Sequence, residues 1–214
     1  MNPFPLILSA PSGAGKTTIA RELLARRSDL GYSVSCTTRS PRRGEVDGKD
    51  YWFISRAEFQ ERRARDEFAE SADVHGHLYG TLRSEVERVL ASGRHVVMDI
   101  DVQGALQFKA AFPGTVTVFV LPPSADVLLR RLRERRTENP EQLIARLRSA
   151  VEELHAVEEY RYVVVNDDLE RAVGQVGSIV DAEMASRERT AGLRDAVERL
   201  SDQLEQEIVL VGSK

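Results

Sequence analysis

Leu6-Ile7-Leu8-Ser9-Ala10-Pro11-Ser12-Gly13-Ala14-Gly15-Lys16-Thr17-Thr18 joins a short apolar run to a Gly-rich turn and then to a helix-forming segment. Leu6, Ile7 and Leu8 read as a buried strand, and residues 19–27 continue as a helix. Gly13 and Gly15 allow backbone angles that a Cβ would penalise. In that strand, turn and helix context the N–H groups of the turn point into one concavity at a helix N-terminus, where backbone dipoles favour an anion. Lys16 adds a positive charge that can reach terminal phosphates, and the Thr17 hydroxyl can ligate Mg²⁺. The strict pattern for such a loop is G-x-x-x-x-G-K-[ST], and its first position here is Ala10, which is acceptable where φ stays negative. The plainer alternative is a Gly/Ser turn before an ordinary amphipathic helix, and the flanking strand and helix weigh against it.

Working outward, three more apolar runs repeat the strand signal: residues 96–101, 116–121 and 162–165. Separated by helical patterns, they predict a parallel sheet covered by helices on both faces. The cluster of Ser28, Asp29 and Gly31 reads as the stop of the first helix. Residues 33–35 alternate like a strand, and Tyr51 begins another. Ser55 with Glu58 forms a capping box that predicts a helix over residues 56–65. Residues 68–74 alternate as a strand, Tyr79-Gly80-Thr81 reads as a turn, and Ser84 with Glu87 forms a second capping box. Residues 33–82 therefore form a small mixed α+β insertion between two α/β elements. Residues 124–156 are helical and Arg-rich, with a helix start at Asn139-Pro140. A helix from Leu169 onward closes the core, and Leu193, Val197, Leu200 and Leu204 space the tail as an amphipathic helix.

At 214 residues the chain suits one domain with inserted subregions. A net charge of -4 excludes a global nucleic-acid-binding surface, so any basic function is local. Cys36 is the one cysteine, which rules out an intramolecular disulfide and fits a reducing cytoplasm. No apolar run approaches the roughly 20 residues that span a bilayer. His75, His77, His95 and His155 do not make a zinc spacing with that cysteine.

A phosphate loop implies a nucleoside triphosphate but not its acceptor. Phosphoryl transfer needs positive charge where two polyanions meet. Arg39 and Arg42 flank Pro41 on a turn that cannot become regular helix, which suits a fork for an acceptor phosphate. The Arg-rich stretch after Pro123 is either a solvated helix face or a lid over the triphosphate, and spacing alone does not select which arginines would act. Asp99 and Asp101 face the same side of a sheet end and read as Mg²⁺ or water-shell ligands, or as acceptors for the second substrate. Capping of the following helix is the alternative and excludes neither role.

Ser9 to Thr17, Ser33-Val34-Ser35, Thr37-Thr38-Arg39-Ser40-Pro41-Arg42, Gly44-Glu45, Tyr51, Tyr79-Gly80-Thr81, Asp99-Ile100-Asp101 and Val165-Asn166-Asp167-Asp168 together resemble guanylate kinase, in the family's order and spacing, to about residue 190. Ala10 fits the bacterial members. The resemblance implies an α/β P-loop nucleotide kinase with a parallel-sheet core (1–32, 83–123 and 157–190), a GMP-binding insertion (33–82), a helical lid (124–156) and a C-terminal tail (191–214). It implies cytoplasmic transfer of a phosphoryl group from ATP to GMP, and to dGMP, with Mg²⁺, and no nucleic-acid or membrane partner. A homo-oligomer through the tail helix is the remaining partner expectation.

By the same resemblance Ser12, Gly13, Ala14, Gly15, Lys16, Thr17 and Thr18 would hold ATP, with Arg131 and Asn166 against the adenine. Ser35, Glu70 and Thr81 would bind guanine. Arg39, Arg42, Tyr51 and Tyr79 would hold the GMP phosphate, with Glu45, Gly80, Asp99 and Asp101 in the same site. Lys16, Arg39, Arg42, Arg135 and Arg146 would act in catalysis, and Thr17 and Asp99 would serve the metal. The chemistry at Glu70 agrees: a carboxylate accepts from guanine N1–H and the N2 amino group together, whereas adenine has no N2 amino group and presents an acceptor at N1. Ser35 or Thr81 can donate to O6. Two departures are local: the family's Gly-Arg-Gly is Glu134-Arg135-Arg136, and its Asn-Tyr before Tyr-Gly is His77-Leu78.

Overall fold

The computed structural model describes residues 2–42, 44–74, 76–133 and 140–212. The chain divides into two compact units, Pro3–Gly177 and, separately, Met1–Asn2 with Ser178–Lys214.

The first unit is built on a five-stranded parallel sheet of β1 (Pro5–Ser9), β2 (Leu30–Tyr32), β7 (His95–Asp99), β8 (Val116–Leu121) and β9 (Tyr162–Val165), ordered β2-β7-β1-β8-β9. Every residue of β1 is buried, so both faces of this central strand are covered, as its unbroken apolar run requires. Ile7 packs with Val96, Met98 and Phe119 against Val86 and Val89 of α3 (Arg83–Ala91) and Ala105 and Phe108 of α4 (Val102–Ala111). By strand alternation Leu6 and Leu8 point the other way. Helix α1 (Lys16–Arg26) packs on β1, β2 and β7 through a buried stripe of Ile19, Ala20 and Leu23.

Helix α1 ends at Arg26, as the Ser28, Asp29 and Gly31 cluster predicts, and β2 follows at once. The chain goes straight back into the sheet there, and a Cβ at Gly31 would meet Val89 Cγ1 at 2.5 Å. Gly31 itself is a close-packing residue inside that strand.

A second sheet, ordered β4-β3-β6-β5, is made of β3 (Cys36–Thr37), β4 (Trp52–Phe53), β5 (Phe68–Val74) and β6 (His77–Leu82). Cys36, Phe59, Phe68, Leu78 and Leu82 form its own core, with Phe59 and Phe68 stacked at 4.3 Å. Phe59 belongs to α2 (Arg56–Ala64), whose Ser55 cap accepts from Glu58 N–H at 3.1 Å as the sequence predicts. Two expectations fail here. Residues 33–35 are not strand, and Tyr79-Gly80-Thr81 is the middle of β6. The glycine there is dictated by packing: a Cβ at Gly80 would lie 2.9 Å from Phe68 Cδ1 and 3.0 Å from Phe59 Cζ. The Ser84 cap is also unused, because α3 starts directly from β6 with Leu82 in the cap position.

Helices α5 (Ala125–Arg133) and α6 (Pro140–His155) share a small core of Leu128, Leu132 and Ala150, with Leu143 and Leu147 beside it. Helix α7 (Leu169–Met184) buries Ala172, Val173 and Val176. In the second unit the buried Glu183 accepts from Arg189 Nε at 3.0 Å, and α8 (Leu193–Gly212) exposes Leu193, Val197, Leu200, Leu204, Ile208 and Val211. Among the described residues no helix is long and apolar enough to cross a membrane.

Candidate active site

Asp99 ends β7 and stands beside Leu8 in register, so the chain passes from β1 into the Gly-rich loop next to that carboxylate. Asn166 lies just beyond β9 and donates its backbone N–H to Leu121 O at 2.8 Å. The carboxyl edge of the parallel sheet thus gathers the loop, Asp99 and Asn166, the place where open α/β sheets bind ligands.

The loop is held by its own geometry. Ala14 N–H bonds to Pro11 O at 3.0 Å, and Gly13 and Gly15 take φ of 89° and 99°. Ala10 is buried, and Asp66 is the one non-glycine residue at positive φ among those described, so Ala10 costs the loop no strain. Leu128 and Leu132 of α5 rest on Gly13, whose Cβ would meet Leu132 Cδ2 at 3.3 Å. Asn166 Nδ2 donates to Ala14 O at 2.7 Å and Arg131 Nη1 to the same carbonyl at 3.2 Å, which brings Arg131 and Asn166 together against the loop. Lys16, Thr17 and Thr18 open α1, with Lys16 half-buried and the two threonines exposed. Ser12 donates its N–H to the Glu153 carboxylate at 3.2 Å, and burial pushes that carboxyl up.

Thr17 Oγ1 donates to Asp99 Oδ2 at 2.5 Å, and Tyr32 OH donates to Asp99 Oδ1 at 3.1 Å. The Thr17 proton points at the carboxylate, so the lone pairs of Oγ1 face outward, the arrangement a hard divalent cation needs. Among the described residues no group of three His, Cys, Asp or Glu side chains is placed to hold a metal ion by itself. Mg²⁺ in a phosphoryl-transfer site takes only one or two protein ligands and completes its shell with phosphate oxygens and water.

In the second sheet the register pairs Glu70 with Thr81. Thr81 Oγ1 donates to Glu70 Oε1 at 2.7 Å and lies 3.1 Å from Ser35 Oγ. A hydroxyl has one proton, so Ser35 donates to Thr81 in this chain of three. Glu70 is 6% exposed, and burial pushes its carboxyl up to about 7, against the opposing bond from Thr81, with Asp101 adding to the rise. Asp101 caps α4, its Oδ1 accepting from Gly104 N–H at 2.7 Å. The capping alternative therefore holds, without removing Asp101 from the neighbourhood of Glu70.

Arg39 is clamped. Its Nη1 and Nη2 donate to the two oxygens of Glu45 at 2.8 and 2.9 Å, and its Nε donates to Tyr79 OH at 3.1 Å. The Tyr51 ring lies 5.4 Å below the guanidinium. Glu45 also accepts from Arg42 N–H at 2.6 Å, and the Arg39 guanidinium holds its carboxyl down at about 2. Burial pushes the Tyr51 phenol up to about 12, so it remains a hydroxyl donor. The Arg42 side chain is exposed beside this cluster. Gly80 has the packing reason given above. Arg146 is half-buried in α6, and Arg135 lies outside the described residues.

Tyr32 and Glu153 were not found by sequence reasoning. Neither sits in a motif, and their partners are 67 and 141 residues away.

A phosphate loop at the carboxyl edge of a parallel sheet, joined to a second sheet that carries a buried carboxylate and a clamped arginine, defines a P-loop nucleotide kinase. The guanylate kinase family model matches residues 2–183. The chain is 47% identical over 188 residues to a guanylate kinase of Caldanaerobacter subterraneus subsp. tengcongensis, covering 88% of this chain and 91% of that one. It is 49% identical to a guanylate kinase of Thermotoga maritima, covering 90% and 92%. The crystal structure of guanylate kinase from Anaplasma phagocytophilum superposes with a TM-score of 0.76 at 35% identity, over 92% of this chain and 94% of that one. The chain belongs to the guanylate kinase family.

Proposed function

We propose that this chain transfers the γ-phosphoryl group of ATP to GMP, and to dGMP, giving ADP and GDP or dGDP in purine nucleotide metabolism. The observation that carries the acceptor's identity is the buried Glu70 carboxylate, fixed by Thr81 and set to accept from guanine N1–H and N2 amino groups. Ser35, at the end of the hydroxyl chain, can turn its proton to O6 by giving up one neutral hydrogen bond. AMP would place an acceptor against the carboxylate and leave it unpaired, the strongest basis a site has for rejection.

Arg39, Arg42, Tyr51 and Tyr79 hold the GMP phosphate, with Glu45 orienting Arg39. Ser12, Gly13, Ala14, Gly15, Lys16, Thr17 and Thr18 hold the ATP phosphates, while Arg131 and Asn166 bound the adenine side of the loop. One oxygen of the GMP phosphate attacks the γ-phosphorus in line, and the bond to the β–γ bridging oxygen breaks with its electrons leaving to ADP. The attacking oxygen already carries negative charge, so no protein base is needed. Lys16, Arg39, Arg42, Arg135 and Arg146 balance charge as it moves, and the second sheet and the α5–α6 region close to align the substrates. Thr17 and Asp99 would hold Mg²⁺, which supplies charge neutralisation at the β- and γ-phosphates.

The division into core, insertion, lid and tail belongs to this proposal, as do a cytoplasmic location and the absence of nucleic-acid and membrane partners. So does a homo-oligomer contact through the exposed apolar stripe of α8. The rival is a guanylate-kinase-like module that binds a phosphorylated protein without catalysis. The intact Gly13, Gly15, Lys16 and Thr17 favour the enzyme. An ADP-release assay across GMP, dGMP, AMP, CMP and UMP separates the readings: turnover confined to GMP and dGMP supports the proposal, and no turnover with any acceptor overturns it.

A further inference from the structure

Three consecutive residues of β5 dock on α4. Ala69 is buried with Ala105 and Phe108, Glu70 lies against Gly104, and Ser71 donates its N–H to Gln107 Oε1 at 3.1 Å. A regular strand would turn Ala69 and Glu70 to opposite faces. A register break between Phe68 and Glu70 prevents that, and bulges of this kind re-aim side chains.

The contact at Gly104 is the tight one. A Cβ built there would lie 2.8 Å from Glu70 Oε2, closer than real Cβ atoms approach a neighbour, and a tight 3.3 Å from Glu70 Cδ. The carboxylate fills the space that any other residue at 104 would need. Its Oε1 is fixed from the β6 side by Thr81, and its Oε2 rests on the bare backbone of α4. Gly104 is itself held in place, since its N–H donates to the Asp101 cap. Gln107 lies three residues on, along the same helix face, and fixes the strand at the next peptide.

We infer that Gly104 and Gln107 of α4 are positioning residues for guanine selection: they set where the Glu70 carboxylate stands, and so how well GMP is told from a purine lacking the 2-amino group. This rests on the reading of Glu70 as the guanine acceptor. Neither residue needs to touch the substrate. Selectivity is then set partly outside the second sheet, by a helix whose cap, Asp101, follows directly on the Asp99 end of β7.

Gly104→Ala is the direct test. Gly104 has helical backbone at an ordinary φ and Ala is the better helix former, so the backbone of α4 accepts the change while the Glu70 carboxylate must shift. The KM for GMP should rise about tenfold with kcat changed less than about threefold, and the preference for GMP over IMP should fall by a similar factor. Adding Glu70→Asp, which withdraws the carboxylate by one methylene, should recover part of the loss, although Glu70→Asp alone weakens GMP binding. A merely structural role would not give that rescue. If Gly104→Ala does not fold, Gln107→Ala at its exposed hydrogen bond carries the same test, with a KM rise for GMP of about threefold at unchanged kcat. Glu70→Gln, assayed alongside, separates the two readings. Lost selectivity in Glu70→Gln with wild-type behaviour in the folded α4 variant overturns the inference alone. Retained selectivity in Glu70→Gln overturns the role of Glu70 and the inference with it.

Discussion

Thr17 Oγ1 donates to Asp99 Oδ2, tying the first turn of α1 to the end of β7 and fixing which way the Thr17 hydroxyl presents its lone pairs. An amide at 99 could donate to Thr17 instead, and the Thr17 proton would then turn outward to where a cation would sit. Partners that orient a metal ligand in this way are worth roughly 10- to 100-fold in affinity. Asp99→Asn should therefore raise the Mg²⁺ concentration for half-maximal rate by about tenfold or more, in a titration at fixed MgATP-independent GMP saturation. A wild-type Mg²⁺ dependence would remove Asp99 from the metal's surroundings.

Gly31 offers a test of the fold. Its Cβ would meet the side chain of buried Val89 at 2.5 Å, with the Arg94 guanidinium carbon at 3.4 Å. Overpacking of this kind costs typically 1–3 kcal/mol, so Gly31→Ala should lower the urea midpoint by roughly that equivalent. Val89→Ala in the same chain should return part of the loss, because the clash is with a methyl that the second change removes. Simple additivity of the two losses would show that Gly31 is not limited by Val89.

The same residue marks where the sequence stops being legible. Residues 116–121 are a strand over the predicted span because a strand buried on both faces leaves an unbroken apolar run. Residues 162–165 are also strand over the predicted span, although β9 is an edge strand with Val163 and Val165 exposed. Gly80 misled, read as a turn, while Gly31, read with Ser28 and Asp29 as the helix stop that does fall there, also belongs to a strand. Each is a glycine inside a strand, required by a side chain that arrives from elsewhere in the chain, and local pattern carries no mark of that neighbour. The site divides likewise. Lys16, Thr17, Arg39 and Arg42 belong to short motifs whose geometry is local. Tyr32, Glu153 and the α4 contacts of Glu70 depend on tertiary approach, and only the fold reveals them.

Arg39 makes two bonds to Glu45 and one to Tyr79 OH, above the Tyr51 ring. A lysine keeps the charge but cannot form that fork. Arg39→Lys should raise the KM for GMP by about tenfold or more while leaving the KM for ATP within about twofold. The Glu45 carboxyl, held at about 2, stays ionised throughout the neutral range, so its hold on Arg39 should not vary between pH 6 and 9. Steady-state kinetics with each substrate varied in turn reads both outcomes, and equal weakening of ATP and GMP would break the assignment of Arg39 to the acceptor side.

Glu70 should make GMP binding pH-dependent where Arg39 and Glu45 do not. Its carboxyl is pushed up to about 7 by burial, and only the ionised form accepts from both N1–H and the N2 amino group. The KM for GMP should thus fall as pH rises from 6 to 8, and in Glu70→Gln only the part due to the second ionisation of the GMP phosphate, at about pH 6, should remain. Stability runs the opposite way. A carboxyl raised in the native state binds a proton that the unfolded chain has released, so between the unfolded value of 4.5 and about 7 the native state loses stability as pH rises. At about 1.4 kcal/mol per pH unit the full loss is at most roughly 3 to 4 kcal/mol, close to complete above pH 7 and absent below 4.5. Glu70→Gln removes the titration but keeps an acceptor for the Thr81 hydroxyl. Urea unfolding should therefore show the variant gaining on the wild type between pH 5 and pH 8, by an amount that levels off near pH 8. A constant difference across that range would mean that Glu70 titrates as an ordinary carboxylate, and the same result would remove the basis for the expected pH dependence of GMP binding.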